Sequence, residues 1–164
     1  MTRKSFFCAT CLLLLISSCN NKKPAKDEIL SGEYWKTQAM RDIIPAWTRY
    51  SQNERSGTFH TNLDSLWKPF GSTDIYPSMI SRHLFSYSAA YLLSGREEDL
   101  EIAGKTAAWL IEKAWDREQG GWYDALDEEG NPVELTKTTF VQVYVITGLA
   151  MYYFATRDSV ILSY

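Results

Sequence analysis

Gly57-Thr-Phe-His-Thr-Asn-Leu-Asp64 and Gly120-Gly-Trp-Tyr-Asp-Ala-Leu-Asp127 are two copies of one motif, and their spacing decides the fold. Glycine, an aromatic residue, leucine and aspartate recur in the same order, at an offset of 63 (120 − 57). A second pair, Tyr91–Arg96 and Tyr152–Arg157, repeats at an offset of 61 (152 − 91). Common helical solenoid repeats are roughly 34–47 residues long. The longer period predicts a unit of two long helices and an elaborated loop, which buries its apolar faces only against neighbours.

Apolar periodicity predicts four main helices, near residues 33–51, 77–94, 97–115 and 137–156. In the first and third, apolar residues recur at the spacing of a helix with one buried face. Pro45 interrupts the first stripe and is expected to kink that helix, because proline lacks a backbone donor. The second and fourth helices are apolar nearly all round, which is typical of helices buried on both sides. The alternation predicts an all-α array of two layers, with the amphipathic helices outside.

The loops before the two inner helices repeat as well. Residues 57–66 and 121–133 alternate aromatic and polar side chains, which predicts a short β-hairpin in each. Asp64 and Asp127 stand at matching places in these loops. Aspartate side chains accept hydrogen bonds from nearby backbone amides in turns, so we expect both to cap turns.

Composition indicates one globular domain. The chain has 164 residues, of which 45% are hydrophobic, and a net charge of −3 without a basic run in its body. Nucleic-acid binding therefore has no electrostatic support. Cys8, Cys11 and Cys19 all lie near the N-terminus, so the rest of the chain has no disulfide and no cysteine metal site.

The N-terminus has the pattern of an export signal. Arg3 and Lys4 precede the apolar stretch Phe6–Ile16, which is too short to span a bilayer. Ile16-Ser-Ser-Cys19 resembles the lipobox of bacterial lipoproteins, which implies cleavage before Cys19 and a lipid on its sulfur. The alternative is a plain secretory signal with an incidental cysteine.

These patterns divide the chain into three parts. We predict a lipoprotein signal peptide at residues 1–18, a polar tether at 19–32 and a folded domain at 33–164. The protein is then expected in the bacterial cell envelope, bound to the membrane through its lipid and facing the periplasm or the surface.

Several stretches resemble the N-terminal part of the N-acylglucosamine 2-epimerase superfamily, which includes cellobiose and mannose 2-epimerases and related aldose–ketose isomerases. The resembling stretches are Ile44–Trp47, Gly57–Phe59 with Leu63-Asp64, Ser81–Ser86, Asp116–Tyr123, Gly130–Pro132 and Lys137–Tyr144. The resemblance covers about residues 33–160. It implies an (α/α)6 barrel, of which this chain supplies two helical-hairpin repeats.

The resemblance also implies a reaction, the epimerisation or isomerisation of a sugar by proton transfer at C2 through an enediolate. That chemistry needs a base on each face of C2 and a fixed positive charge near the developing oxyanion. The family supplies paired histidines and an arginine, and the histidines lie on helices beyond Tyr164. We therefore expect the isolated chain to lack epimerase activity and to self-associate through the open face of its partial barrel.

Three residues are predicted to bind the carbohydrate substrate: Arg82, Gln142 and Trp122. Arg82 matches the arginine of the family's Gln-x-Arg motif, although Ile80 stands at the glutamine position. Its guanidinium stays protonated and offers a planar fork of donors, and the alternative role is a structural ion pair. Gln142 contacts a sugar hydroxyl or makes an internal hydrogen bond. Trp122 stacks on a pyranose face or packs under its hairpin.

No catalytic residue is assigned within the chain. His83 adjoins Arg82, so on a helix the two side chains point about 100° apart. His60 has Tyr123 as its repeat mate, which indicates a loop-packing position. Two histidines without a third ligand fall short of a usual metal site, and no phosphate-binding glycine loop is present, so neither a metal nor a cofactor is expected.

Two other functions stay open. One is a carbohydrate-binding or scaffold remnant without catalysis. The other is a glycoside hydrolase on an (α/α)6 barrel, for which Asp64 and Asp127 are the candidate acids.

Overall fold

The computed structural model describes residues 26–164. The predicted signal peptide, the lipid attachment at Cys19 and residues 19–25 of the predicted tether lie outside the described residues. The described helices are α1 (Lys26–Ile29), α2 (Gly32–Thr37), α3 (Ile44–Tyr50), α4 (Pro77–Ser94), α5 (Glu97–Trp109) and α6 (Thr139–Thr156). Strands β1 (Gln52–Asn53) and β2 (Thr58–Phe59) form an antiparallel hairpin.

The first predicted helix consists of α2 and α3, which are joined by a π-helical turn at Gln38–Ile43. In this turn the Ile44 amide donates to the carbonyl of Ala39, five residues back. Pro45 explains the wider turn, because its ring crowds the carbonyl four residues before it and it has no N–H to donate. A second π-helical turn, Leu110–Ala114, extends α5 to the end of the third predicted helix.

Helix α4 is the centre of the fold, since it packs along both α5 and α6. It ends at Gly95, whose φ of 70° and hydrogen bond to the Tyr91 carbonyl form a left-handed cap. Helices α4 and α6 approach closely at Gly148, where an added Cβ would lie 2.6 Å from the backbone oxygen of Ser81. The two inner helices therefore stand side by side, as the sequence predicts.

Helix α6 has one buried and one exposed apolar face. The buried residues are Val141, Val145, Gly148 and Leu149. The open stripe on its other side comprises Val143, Ile146, Thr147, Ala150 and Phe154. Among the described residues, α6 is also the one helix long and apolar enough to cross a bilayer, by length and composition alone, a test that core helices of soluble proteins also pass. Its packing along α4 is that of a core helix.

The two long loops, loop 1 (residues 51–76) and loop 2 (residues 115–138), share one hydrogen-bond pattern, which confirms the repeat. The Gly57 amide donates to the Asn53 carbonyl at 3.0 Å, and the Gly120 amide donates to the Asp116 carbonyl at 2.9 Å. Likewise, the Asp64 amide donates to the Lys68 carbonyl and the Asp127 amide to the Asn131 carbonyl, each at 2.8 Å. The members of each pair are separated by the offset of the duplicated motif. The Asp64 and Asp127 carboxylates accept bonds from backbone amides of their own turns, as turn caps do.

Strand pairing within the loops is brief. In loop 1 the hairpin begins at Gln52, earlier than predicted, because Gln52 pairs with Phe59. In loop 2 the same positions, Trp115 and Trp122, form a single bridge. The loops join each other through Ile75 and Leu126, whose amides exchange hydrogen bonds of 2.7 and 2.9 Å. This bond pair links the two repeats at the end where both inner helices begin.

Candidate functional site

Arg82 is exposed on the second turn of α4 and faces the second turn of α6. Its guanidinium carbon lies 4.2 Å from the ring centre of Tyr144, a cation–π contact. Its Nη1 lies 2.7 Å from the sulfur of Met79, a weak acceptor. Arg82 forms no salt bridge within residues 26–164. A charged group with unused donors therefore stands on the inner surface.

Two cavities meet at Arg82. One of about 290 Å³ lies between α4 and α6 and is lined by Phe85, Tyr144 and Thr147 among others. The other, of about 210 Å³, lies between α3 and α4. Trp47 and His83 line this second cavity. The arginine thus separates an apolar cleft from an aromatic one, and both are near the loop end of the inner helices.

Gln142 and Trp122, the other predicted substrate contacts, are bound to each other. The Gln142 amide donates to the Trp122 carbonyl at 2.7 Å and accepts from the Trp122 amide at 2.9 Å. Trp122 is 2% exposed and packs edge-on against Trp115, with ring centres 4.6 Å apart. In this arrangement Gln142 makes an internal hydrogen bond and Trp122 packs under its loop. Sugar contacts by either residue stay predictions.

Loop 2 is held by an ion pair at its base. Lys137 donates to the Asp116 carboxylate and, at 2.9 Å, to the Gly120 carbonyl. The lysine and the backbone amides of Gln119 and Glu118 hold the pKa of Asp116 far below its usual range. Lys137 is therefore engaged in loop structure, unlike Arg82.

His83 is part of an aromatic stack. Its ring stacks on Phe59 with centres 4.1 Å apart, and Trp47 meets it edge-on at 4.9 Å. Burial lowers the pKa of His83 to about 4, so the ring is neutral at pH 7. His60 is half-buried in loop 1, and its amide donates to the Ser51 carbonyl at 2.8 Å. Neither histidine adjoins Tyr144 in the cleft between α4 and α6.

Tyr144 is the site residue that the sequence reasoning missed. It follows Arg82 by 62 residues (144 − 82), the same distance that separates the starts of α4 and α6 (139 − 77), so it stands at the equivalent position of the second inner helix. Because α4 and α6 are repeated helices packed side by side, mates on equivalent turns come into contact. The offsets of the two sequence motifs, 63 and 61, lead to Val145 and Val143 instead, so the pair follows from the helix starts in the structure.

Metal ligands are not clustered in the part of the chain that the structure describes. Within residues 26–164, no three His, Cys, Asp or Glu side chains are placed to hold an ion.

Comparison with known proteins places this geometry in a family. The sequence profile of the N-acylglucosamine 2-epimerase (GlcNAc 2-epimerase) family matches residues 57–160, which include most of loop 1, all of loop 2 and both inner helices. The chain belongs to this family. Its helices are part of an (α/α)6 barrel, the fold of its structural neighbours.

Relatives within the family include two cellobiose 2-epimerases. That of Bacteroides fragilis is 33% identical over 138 residues, which cover 84% of this chain and 35% of the relative. The cellobiose 2-epimerase of Ruminococcus albus is 32% identical over 116 residues, which cover 71% of this chain and 30% of the relative. The crystal structure of a sugar epimerase from a ruminal bacterium matches with a TM-score of 0.71 at 31% identity, covering 79% of this chain and 33% of that one. The chain spans about a third of the length of these relatives.

Proposed function

We propose that this chain forms the N-terminal part of a carbohydrate 2-epimerase barrel and that Arg82 is its sugar-facing cation. The observation that carries the proposal is the position of Arg82, exposed between α4 and α6, over Tyr144 and without a salt bridge in residues 26–164. A structural arginine on an inner helix would be expected to pair with a carboxylate. The similarity to cellobiose 2-epimerases supports a sugar as the ligand.

The proposed reaction removes the proton at C2 of an open-chain aldose and returns one to the opposite face. The electron pair of the C2–H bond then forms the C1=C2 bond, and negative charge develops on O1, the former aldehyde oxygen of the enediolate. A guanidinium that is already fixed in place stabilises this charge without reorganisation, because its orientation is set by Tyr144 before the reaction. Arg82 holds no proton-transfer role, since its side chain stays protonated. The bases come from the remaining helices of the barrel.

Product analysis separates the three candidate functions. Residues 33–164 would be joined to the remaining two thirds of the Bacteroides fragilis relative, and the purified chimera incubated with cellobiose. An epimerase yields a disaccharide with mannose at the reducing end, a hydrolase yields glucose, and a binding module yields neither. The family relationship favours neither alternative. Release of glucose without an epimeric disaccharide would refute the proposal.

Variants of the chimera test Arg82 itself. Removing one donor to an oxyanion costs about 10²–10³-fold in kcat, and we expect a loss of this order for Arg82→Ala. Arg82→Lys keeps the charge without the fork and should retain part of the rate. Arg157→Gly is the matched control, because Arg157 also lies over aromatic rings but at the far end of α6. Equal rates for Arg82→Ala and the unmodified chimera would contradict the role.

We also propose that the protein is exported and anchored through a lipid on Cys19, on the strength of the Ile16-Ser-Ser-Cys19 pattern. Cys19→Ala should move the protein from the membrane fraction to the soluble fraction of a bacterial host. Unchanged membrane association of that variant would count against the anchor.

Self-association of the isolated chain is a further part of the proposal. The open stripe of α6 leaves Val143, Ile146 and Phe154 each more than half exposed. Contiguous apolar surface of this kind favours association in water. In a complete barrel the next inner helix covers the same stripe.

A further inference from the structure

Trp67, at the tip of loop 1, has a backbone conformation that disfavours its side chain. Its φ is 62°, in the left-handed region, where residues with a Cβ are strained. The repeat shows what this position ordinarily requires, because the mate of Trp67 in loop 2 is Gly130, with a φ of 88°. Both amides close the same turn, Trp67 onto Asp64 at 3.0 Å and Gly130 onto Asp127 at 3.1 Å. A bulky indole thus occupies a glycine position.

The strained indole belongs to an aromatic surface. Trp67 meets Trp47 edge-on with ring centres 5.1 Å apart, and it lies at 31° to the Tyr50 ring at 5.6 Å. Trp67 is half-buried and Tyr50 is 45% exposed, so part of both rings faces solvent. We call Trp67 and Tyr50 the loop 1 platform.

Trp47 connects the platform to the cavity beside Arg82. Trp47 contacts Trp67 on one side and His83 on the other, with ring centres 4.9 Å apart in the second pair. Trp47, His83 and Arg82 together line the cavity of about 210 Å³ between α3 and α4. Ring contacts therefore run from Trp67 through Trp47 to His83, which is the neighbour of Arg82 in the sequence.

We propose that the loop 1 platform is a carbohydrate subsite that stacks on the second, non-reacting ring of a disaccharide substrate and selects disaccharides over monosaccharides. The inference rests on the proposed function, since the reacting ring is taken to lie at Arg82. Pyranose rings present a face of C–H groups that packs on an aromatic ring, while their hydroxyls stay in water. An aromatic surface that is half-exposed beside a cationic cavity suits such a ligand.

The exposed neighbours of Trp67 suggest a competing occupant. Leu66 and Phe70 are 71% and 72% exposed and flank Lys68, a composition that also suits the surface of a membrane. Contact with Trp47 favours the sugar, because Trp47 itself lines the cavity beside Arg82. Binding of the platform to a membrane surface is the alternative that the experiment below distinguishes.

Titration of the full chain with cellobiose and with glucose, followed by NMR of the tryptophan indole N–H groups, tests the subsite. Cellobiose should shift the Trp67 signal, which is identified by its loss in Trp67→Gly. Aromatic contacts of this kind are worth about 0.5–1.5 kcal/mol, so Trp67→Gly and Trp67→Asn should weaken cellobiose binding about 2- to 13-fold. Glucose binding should stay within about twofold. Both substitutions tolerate a positive φ, so circular dichroism should show an intact fold.

Controls distinguish failure of the subsite from failure of the proposed function. Arg82→Ala should weaken both sugars, and Trp35→Phe, on the exposed α2, should weaken neither. Cellobiose binding that depends on Arg82 but is unchanged in Trp67→Gly would overturn the subsite and leave the function standing. Absence of binding of both sugars would overturn the subsite, and inactivity of the chimera toward cellobiose would overturn the proposed function as well. A Trp67 shift with phosphatidylglycerol vesicles and none with cellobiose would assign the platform to the membrane and overturn the subsite.

Discussion

Replacing Gly148 with alanine should destabilise the protein, because this glycine sets the distance between the two inner helices. A Cβ at position 148 would lie 2.6 Å from the backbone oxygen of Ser81 and 3.1 Å from its Cβ. Ordinary contact begins at 3.4 Å, so α4 and α6 would have to separate by up to 0.8 Å (3.4 − 2.6). The oxygen belongs to the backbone of α4 and has no rotamer by which to move away.

Two opposing terms set the magnitude. Alanine gains about 0.8–1.0 kcal/mol of helix propensity over glycine. Overpacking typically costs about 1–3 kcal/mol, and a clash with backbone is at the upper end or beyond it. The expected net loss is about 2 kcal/mol, which for a domain of this size lowers Tm by about 4–8 °C. Urea unfolding of the purified chain, followed by circular dichroism at the helix band, measures it.

Gly104 in α5 provides the matched control. Its nearest neighbour to an added Cβ is the Tyr152 hydroxyl at 3.3 Å, the movable end of a side chain. Gly104→Ala should therefore be neutral or stabilising by up to about 1 kcal/mol, the propensity gain alone. If Gly148→Ala is as stable as Gly104→Ala, the close packing of the inner helices described above is wrong.

Three further predictions concern pH, helix caps and association. Below pH 6.5 the unfolded His83 binds a proton that the folded ring, with its pKa of about 4, does not. The free energy of unfolding therefore falls as the pH drops from 6.5 to about 4, by about 3 kcal/mol in all. Urea unfolding at a series of pH values should show this loss and a smaller one in His83→Phe; equal pH dependence of the two proteins would contradict the burial of the neutral ring. Gly95 and Arg157 form the same left-handed C-cap, with φ of 70° and 61°. Gly95→Ala should therefore lower the free energy of unfolding by about 1 kcal/mol, and Arg157→Gly should raise it by about as much. Melting temperatures of the two variants that shift in the same direction would refute the equivalence of the caps. Charges on the open stripe, in the double variant Val143→Lys and Ile146→Lys, should shift the isolated chain toward monomer in sedimentation velocity, and unchanged association would locate the interface elsewhere.

Local signals in the sequence were sufficient for most of the fold. The predicted ends of the second helix, 77–94, are those of α4, because Pro77 starts a helix readily and Gly95 supplies a left-handed cap. The duplicated glycines and aspartates revealed the repeat, since their backbone amides make equivalent hydrogen bonds in the two loops. The π-helical turns were not predicted, because a single turn with hydrogen bonds between residues five apart does not visibly change the spacing of apolar residues.

The site was less accessible to sequence reasoning, because it depends on which side chains meet across elements. Arg82 was found by its family motif, but its partner Tyr144 depends on the pairing of α4 with α6. The enclosure of His83 by Phe59 and Trp47 requires the hairpin of loop 1 to fold over α4. The strain at Trp67 becomes visible only when its φ is known.

The role of Arg82 is tested most directly by exchange of the C2 proton of cellobiose in D₂O, followed by proton NMR. The chimera with the remaining two thirds of the Bacteroides fragilis relative should exchange this proton. Its Arg82→Ala variant should be slower by about 10²-fold or more, and the isolated chain should show no exchange. Exchange by the Arg82→Ala chimera at the unmodified rate, or by a monodisperse monomer of the isolated chain, would contradict the proposed site.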